Sequence, residues 1–205
     1  MVMARTGYSA GRGARIGGLR TPRAGAYAPD VPQDDAVERA KRLLREAADR
    51  LAGAGIADEA IAEFEPATRR LGIPRRARLR PVGRGWRLGV LLLQGDGTVR
   101  ATGSVTRAVP PGHPGHMAVS TEERREVRGA AFRGPFPPGS SVNYDAPVIP
   151  LTAEALRAAT GPLLLRDDRV LVRWSLSAGD DAARDLEPYL AERVGLLLDP
   201  PLGAT

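Results

Sequence analysis

The stretch 76–109, RARLRPVGRGWRLGVLLLQGDGTVRATGSVTRAV, decides the fold class. Arg76, Arg78 and Arg80 alternate with Ala77 and Leu79, the two-residue period of a strand with one polar face. Trp86 to Leu93 is a mostly apolar run, and Thr98 to Val109 holds β-branched residues in a looser alternation. Gly95-Asp96-Gly97 lies between these runs and supplies the positive-φ residues a tight hairpin needs. The stretch therefore predicts an antiparallel β-meander from about 76 to 109.

Upstream the period changes. Val37, Ala40, Leu44, Ala47 and Leu51 recur at three- and four-residue steps, which predicts a helix capped by Asp34 or Asp35 and ended by Gly53 and Gly55. Glu38 with Arg42 and Glu46 with Arg50 would support its exposed face. A second, shorter helix is expected from Asp58, carrying Ile61 and Phe64. Pro66 interrupts it, and a further turn closes at Gly72 and Pro74. Together these make an N-terminal helical hairpin.

Downstream, PPGHPGHMA (110–118) reads as an irregular loop, and Ser120 with Glu123 as a capping box opening a helix to Arg133. Gly134-Pro135 stops it. Residues 135–150 read as a long loop with one short strand, and Thr152 caps a brief helix that ends by Gly161. Leu163 to Arg166 and Arg169 to Ser175 form a second hairpin around Asp167-Asp168. A final helix starts near Glu187-Pro188, presents Leu190, Val194 and Leu197 on one side, and ends at Pro200-Pro201. Helices, then an antiparallel run, then mixed elements joined to one sheet indicate α+β, without the alternation of a doubly wound fold.

The expected organisation is a disordered basic tail over 1–32, one α+β domain over 33–201 and a short tail over 202–205. Residues 1–29 hold Arg5, Arg12, Arg15, Arg20 and Arg23 and no acid, so they carry +5 of the net charge of +6. The remainder is close to neutral, so charge alone does not mark the folded part as a nucleic-acid binder. The tail reads as an arm for an anionic surface, as an inert extension, or as the product of a start upstream of the true one. Hydrophobic residues make up 42 % of the 205, enough for a core, while only 4 % are aromatic, so that core is aliphatic. No stretch approaches a membrane span and the N-terminus lacks an apolar signal region, so a soluble, cytoplasmic protein with no membrane partner is expected. The absence of cysteine excludes disulfides, thiolate metal sites and cysteine nucleophiles.

The strongest local signal for function is a run of arginines, Arg69, Arg70, Arg75, Arg76, Arg78, Arg80, Arg84 and Arg87, with no acid from Pro66 to Gly95. On a strand Arg76, Arg78 and Arg80 project from one face about 7 Å apart, a spacing that suits phosphates or a multiply charged anion. Arg87 extends the candidate anion site, and Trp86 adds a stacking surface if it shares that face. The competing reading pairs these arginines with Glu38, Glu46, Glu59, Glu63 and Glu65. The expected partner is nucleic acid or a phosphorylated ligand, and no cofactor or metal is assigned.

Other chemistry is thinner. His113 and His116 are the only histidines and form an H-x-x-H step, with Glu122, Glu123 or Asp145 as the only completing ligands in view. A small hydrolase would draw on His113, His116, Asn143 and Asp145. There is no G-x-S-x-G elbow, and Glu38 stands where a Ser-x-x-Lys pair needs serine before Lys41. The Gly83-Arg84-Gly85 and Gly95-Asp96-Gly97 segments lack the context of a phosphate loop. A structural subunit, with the apolar helix Leu190–Leu198 as its contact, is a further alternative.

From about Ala40 to Pro201 the chain resembles a set of poorly characterised proteins from high-GC actinobacteria. The resemblance lies in Thr68-Arg69-Arg70-Leu71-Gly72, Trp86-Arg87-Leu88-Gly89-Val90-Leu91-Leu92, Ala101-Thr102-Gly103 and Phe132-Arg133-Gly134. Some of those proteins are labelled glutaminase, which implies a serine–lysine or cysteine–histidine nucleophile. This sequence has no cysteine and its lone lysine is out of pattern, so the resemblance carries no mechanism here.

Overall fold

The first helix, α1 (Val31–Gly53), buries Ala36, Val37, Ala40, Leu44, Ala47, Ala48 and Leu51, the stripe expected from the sequence. It begins earlier than Asp34, with Pro32 in its first turn, where a missing N–H costs no helical bond. The computed structural model describes residues 31–70, 73–110, 119–175 and 179–201. The basic tail up to residue 30 and the histidine loop fall outside them.

The expected second helix is a strand, β1 (Glu59–Glu65), so there is no helical hairpin. Ala60, Ile61 and Ala62 are all buried, because both faces of this strand are covered. Burial on two faces hides the two-residue period, and the three-residue step from Ile61 to Phe64 then imitates a helix. The expected turn after Pro66 is likewise a two-stranded ribbon, β2 (Thr68–Arg70) and β3 (Ile73–Arg75), with Arg69 opposite Pro74.

The meander follows as read, with one turn more. The run from Trp86 to Leu93 breaks between β4 (Arg78–Leu88) and β5 (Leu91–Gln94), where Leu88 faces Leu91 across Gly89-Val90. Gly89 has φ +63, and the Tyr189 hydroxyl accepts from Val90 N (3.1 Å) and donates to Leu88 O (2.9 Å). Gly95-Asp96-Gly97 leads into β6 (Val99–Ala101), and β7 (Ser104–Arg107) completes the run.

These strands and β8 (Ser141–Tyr144) form a sheet in the order β6-β5-β4-β1-β8-β7. Its two outer members are separated in the chain by only Thr102 and Gly103. Laid flat, the sheet would hold them about 24 Å apart, whereas three residue steps span at most about 11 Å. The sheet must therefore curl until its edges meet. Ala101 N donates to Pro147 O and Ile149 N to Val99 O, both at 3.0 Å, and Arg100 bridges Val148. That bridge continues the register in which Ser104 faces Tyr144. Residues 99–107 and 141–149 are thus one long antiparallel pair, broken where Asp145 takes φ +54. The result is a closed barrel of five strands. An antiparallel meander with an odd number of strands must close on one parallel pair, and here β1 runs parallel to β8.

Helices cover the barrel outside. Trp86, Leu88, Leu91, Leu93 and Val99 pack against α1 and α4 (Leu186–Leu198). Ala60, Ala62, Leu79 and Val142 pack under α2 (Val119–Phe132). Ile61, Leu92 and Ala146 fill the inside, with Val82 partly buried beside them. The brief helix α3 (Ala153–Arg157) is capped as expected, Thr152 Oγ1 accepting from Ala155 N at 3.2 Å. A three-stranded sheet of β9 (Leu163–Arg166), β10 (Arg169–Val172) and β11 (Arg184–Asp185) joins the α1–α4 side. Helices and strands in segregated runs make the chain α+β.

Candidate anion-binding site

Strand β4 carries most of the predicted arginines, but its two ends do different things. At the N-terminal end Arg78 donates to Glu65 Oε2 at 2.5 Å, and Arg80 reaches Glu65 Oε1 at 3.1 Å and also Glu63. The register explains this: Glu65 faces Arg78 and Glu63 faces Arg80 across the β1–β4 ladder. The Arg78 hydrogen bond holds the Glu65 carboxyl below its ordinary range, against desolvation that pushes the other way, and in return raises the Arg78 guanidinium. Further along, Arg84 is clamped by Asp58, through the carboxylate and the backbone carbonyl, both at 2.7 Å.

Arg87 lies seven residues beyond Arg80, about 23 Å along the strand, and does not join Arg78 and Arg80; Arg76 precedes the strand, so the expected three-arginine face does not form. Its guanidinium donates to Asn143 Oδ1 and stands 3.9 Å from Glu59 Oε2. Asn143 in turn donates to Glu59 Oε2 at 2.7 Å and to Ala60 O at 3.2 Å. Trp86 offers no stacking surface. It is 6 % exposed, packs against the helical layer and donates its indole N–H to Ile56 O at 2.8 Å.

The arginines left without a carboxylate lie just before β4. Arg69, Arg75 and Arg76 are exposed, and among the described residues no ion pair engages them. Arg75 and Arg76 border a cleft of about 500 Å³. Phe64 and Pro66 give it an apolar wall and Thr68 a hydroxyl, while three guanidiniums, of Arg75, Arg76 and Arg78, stand against one carboxylate, of Glu65. Arg69 sits on the same short ribbon, opposite Pro74.

Of the four arginines read from the sequence as a candidate anion site, Arg76 and Arg78 border this cleft with Arg75, whereas Arg80 and Arg87 lie against Glu63 and Glu59, partners that the competing reading named. The correcting signal was present. Glu63 and Glu65 have the same two-residue spacing as Arg78 and Arg80, and reading 59–65 as a strand brings the two pairs together.

The remaining candidates fall apart in space. His113 and His116 lie outside the described residues. Asp145 is exposed, whereas Asn143, expected in a loop, is fully buried in β8. Among the described residues no group of three His, Cys, Asp or Glu side chains is placed to hold a metal ion, and no helix is long and apolar enough to cross a membrane. In α4, Leu190 and Val194 are buried within the chain and Leu197 is partly buried, which leaves Leu196 as its exposed large apolar side chain. No protein-family model, no curated protein and no solved structure matches this chain.

Proposed function

We propose that this protein is a non-catalytic binding domain that takes an anionic partner at the cleft bordered by Arg75, Arg76 and Arg78. The observation that carries the reading is the division among the arginines. Arg78, Arg80, Arg84 and Arg87 each have an acidic neighbour, whereas Arg69, Arg75 and Arg76 are exposed without one. Unpaired guanidiniums on and just after one short ribbon favour association with phosphate, sulfate or carboxylate groups through charge-assisted, often bidentate hydrogen bonds.

Heparin binding by the full-length protein across a salt series tests this. A contact through the cleft alone gives a log–log salt slope of roughly 2–3, against about 8 if the whole arginine run tracked the polymer. The double variant Arg75→Ser/Arg76→Ser is expected to bind at least roughly tenfold more weakly, with the slope reduced by about 1 for each arginine removed. A second variant replaces Arg5, Arg12, Arg15, Arg20 and Arg23 with Ser and is expected to keep the cleft-dependent part. Loss of binding in this tail variant, with none in the double variant, would overturn the reading.

A further inference from the structure

Which anion the cleft takes follows from how charge is laid out around it, granted the anion-binding reading above. A continuous polyanion needs cations in an unbroken line. Here the line stops at Arg78. Beyond it Arg78, Arg80, Glu63 and Glu65 form a checkerboard of alternating sign with no excess charge, and Arg84 is taken up by Asp58. A polymer leaving the cleft along β4 would bring its next phosphate against Glu63 and Glu65. The excess positive charge is confined to one end, where Arg75, Arg76 and Arg78 face a single carboxylate.

Size and wall chemistry narrow the ligand further. A volume of about 500 Å³ falls within the range of small-molecule sites. Phe64 is only partly exposed because it packs on the buried cluster under α2, so its ring is held in place and not free to fold over the cleft. With Pro66 it makes a fixed apolar wall beside the guanidiniums. A fixed ring favours a flat partner, by offset or edge-on contact. Two or three guanidiniums match the near-double charge of a phosphate monoester. Glu65 is held by both Arg78 and Arg80, and its carboxylate offers an acceptor to a hydroxyl or amino group on the ligand.

We infer that the cleft binds a phosphate monoester borne on or near a flat ring, with the phosphate on Arg75 and Arg76 and the ring against Phe64 and Pro66. Two sources share this chemistry, a nucleoside monophosphate and an aryl phosphate such as a phosphorylated tyrosine side chain.

Calorimetric titration of the full-length protein with inorganic phosphate, ribose 5-phosphate, AMP, UMP and phenyl phosphate tests the assignment. At least one ring-bearing ester is expected to bind roughly tenfold or more tighter than ribose 5-phosphate and inorganic phosphate, a difference of the size that stacking supplies. Preference for AMP and UMP identifies the nucleotide source, and preference for phenyl phosphate the aryl one. Arg75→Ser/Arg76→Ser is expected to remove binding of every ester. Phe64→Leu keeps an apolar side chain against the buried cluster but removes the flat face, so it should abolish the ring preference while leaving inorganic phosphate binding unchanged. Far-UV circular dichroism checks that each variant is folded. Equal affinity for all five ligands would overturn the inference while leaving a charge-only anion site. Failure of all five together with heparin would overturn the parent reading as well.

Discussion

Asn143 is fully buried, and both atoms of its amide are engaged. Its nitrogen donates to Glu59 and to the Ala60 carbonyl, and its oxygen accepts from Arg87, so it ties β8 to β1 and β4 at one end of the barrel. A buried polar group left without its partner costs about 1–3 kcal/mol. Asn143→Ala strips partners from Glu59, Ala60 and Arg87 at once, and water reaches only the half-exposed members. The expected loss is about 2–4 kcal/mol, read from urea unfolding as a lower midpoint at unchanged slope. A loss under about 0.5 kcal/mol would show that these contacts are dispensable. Nothing local in the sequence announces this role. Asn143 sits between Pro- and Gly-rich flanks that read as a loop, and an asparagine there is ordinarily a turn residue. Its burial comes from strands more than fifty residues away. The Arg78–Glu65 and Arg80–Glu63 pairs were closer to legible, since both sides keep the same spacing, and they were obscured only by the mistaken helix.

At the level of elements, legibility followed the number of faces buried. Strand β4 opens with Arg78, Leu79 and Arg80 alternating exposed and buried, so its period stood out. Strand β1 buries three consecutive residues, and its period vanished. The β9–β10 hairpin was readable because its turn is set by local chemistry. Asp167 and Asp168 have φ of +47 and +56, the left-handed pair that a two-residue turn between antiparallel strands requires. Aspartate tolerates this conformation better than most side chains but still pays for it. Relief of left-handed strain by glycine is worth roughly 1–2 kcal/mol, against roughly 0.5–1 kcal/mol of extra chain entropy in the unfolded state. Strain outweighs entropy, so Asp168→Gly should stabilise the protein by about 0.5–1 kcal/mol, seen as a rise in thermal midpoint of a few degrees. A fall would mean that the Asp168 side chain makes a contact that outweighs its backbone cost.

The whole molecule depends on a joint that no local pattern reveals. Residues 99–107 read as one loose alternation, and nothing in them shows that their two halves lie on opposite edges of the sheet. Closure rests on Gly103, where the chain crosses its own partner strand. A Cβ built there would overlap the carbonyl oxygens of both Tyr144 and Asp145, which are backbone atoms and have no side-chain freedom with which to move aside. Opening that crossing separates β6 from the segment 147–149 and β7 from β8, and strand β4 then couples the damage to both core clusters, since Trp86 and Leu88 belong to one and Leu79 to the other. Gly103→Ala is therefore expected to cost about 3–5 kcal/mol, at the severe end for a single methyl group. Because the two clusters share a strand, tryptophan emission and far-UV circular dichroism should still report one coincident unfolding transition. Gly53→Ala serves as the matched control: it ends α1 with open space around its Cβ position, and it should change stability by less than about 1 kcal/mol. If Gly103→Ala behaved like that control, the edges of the sheet would not be meeting at this crossing. If instead the two probes separated in Gly103→Ala, the barrel and the helical layer would be parting company, and β4 would be a hinge between two units and not the strand that binds them into one.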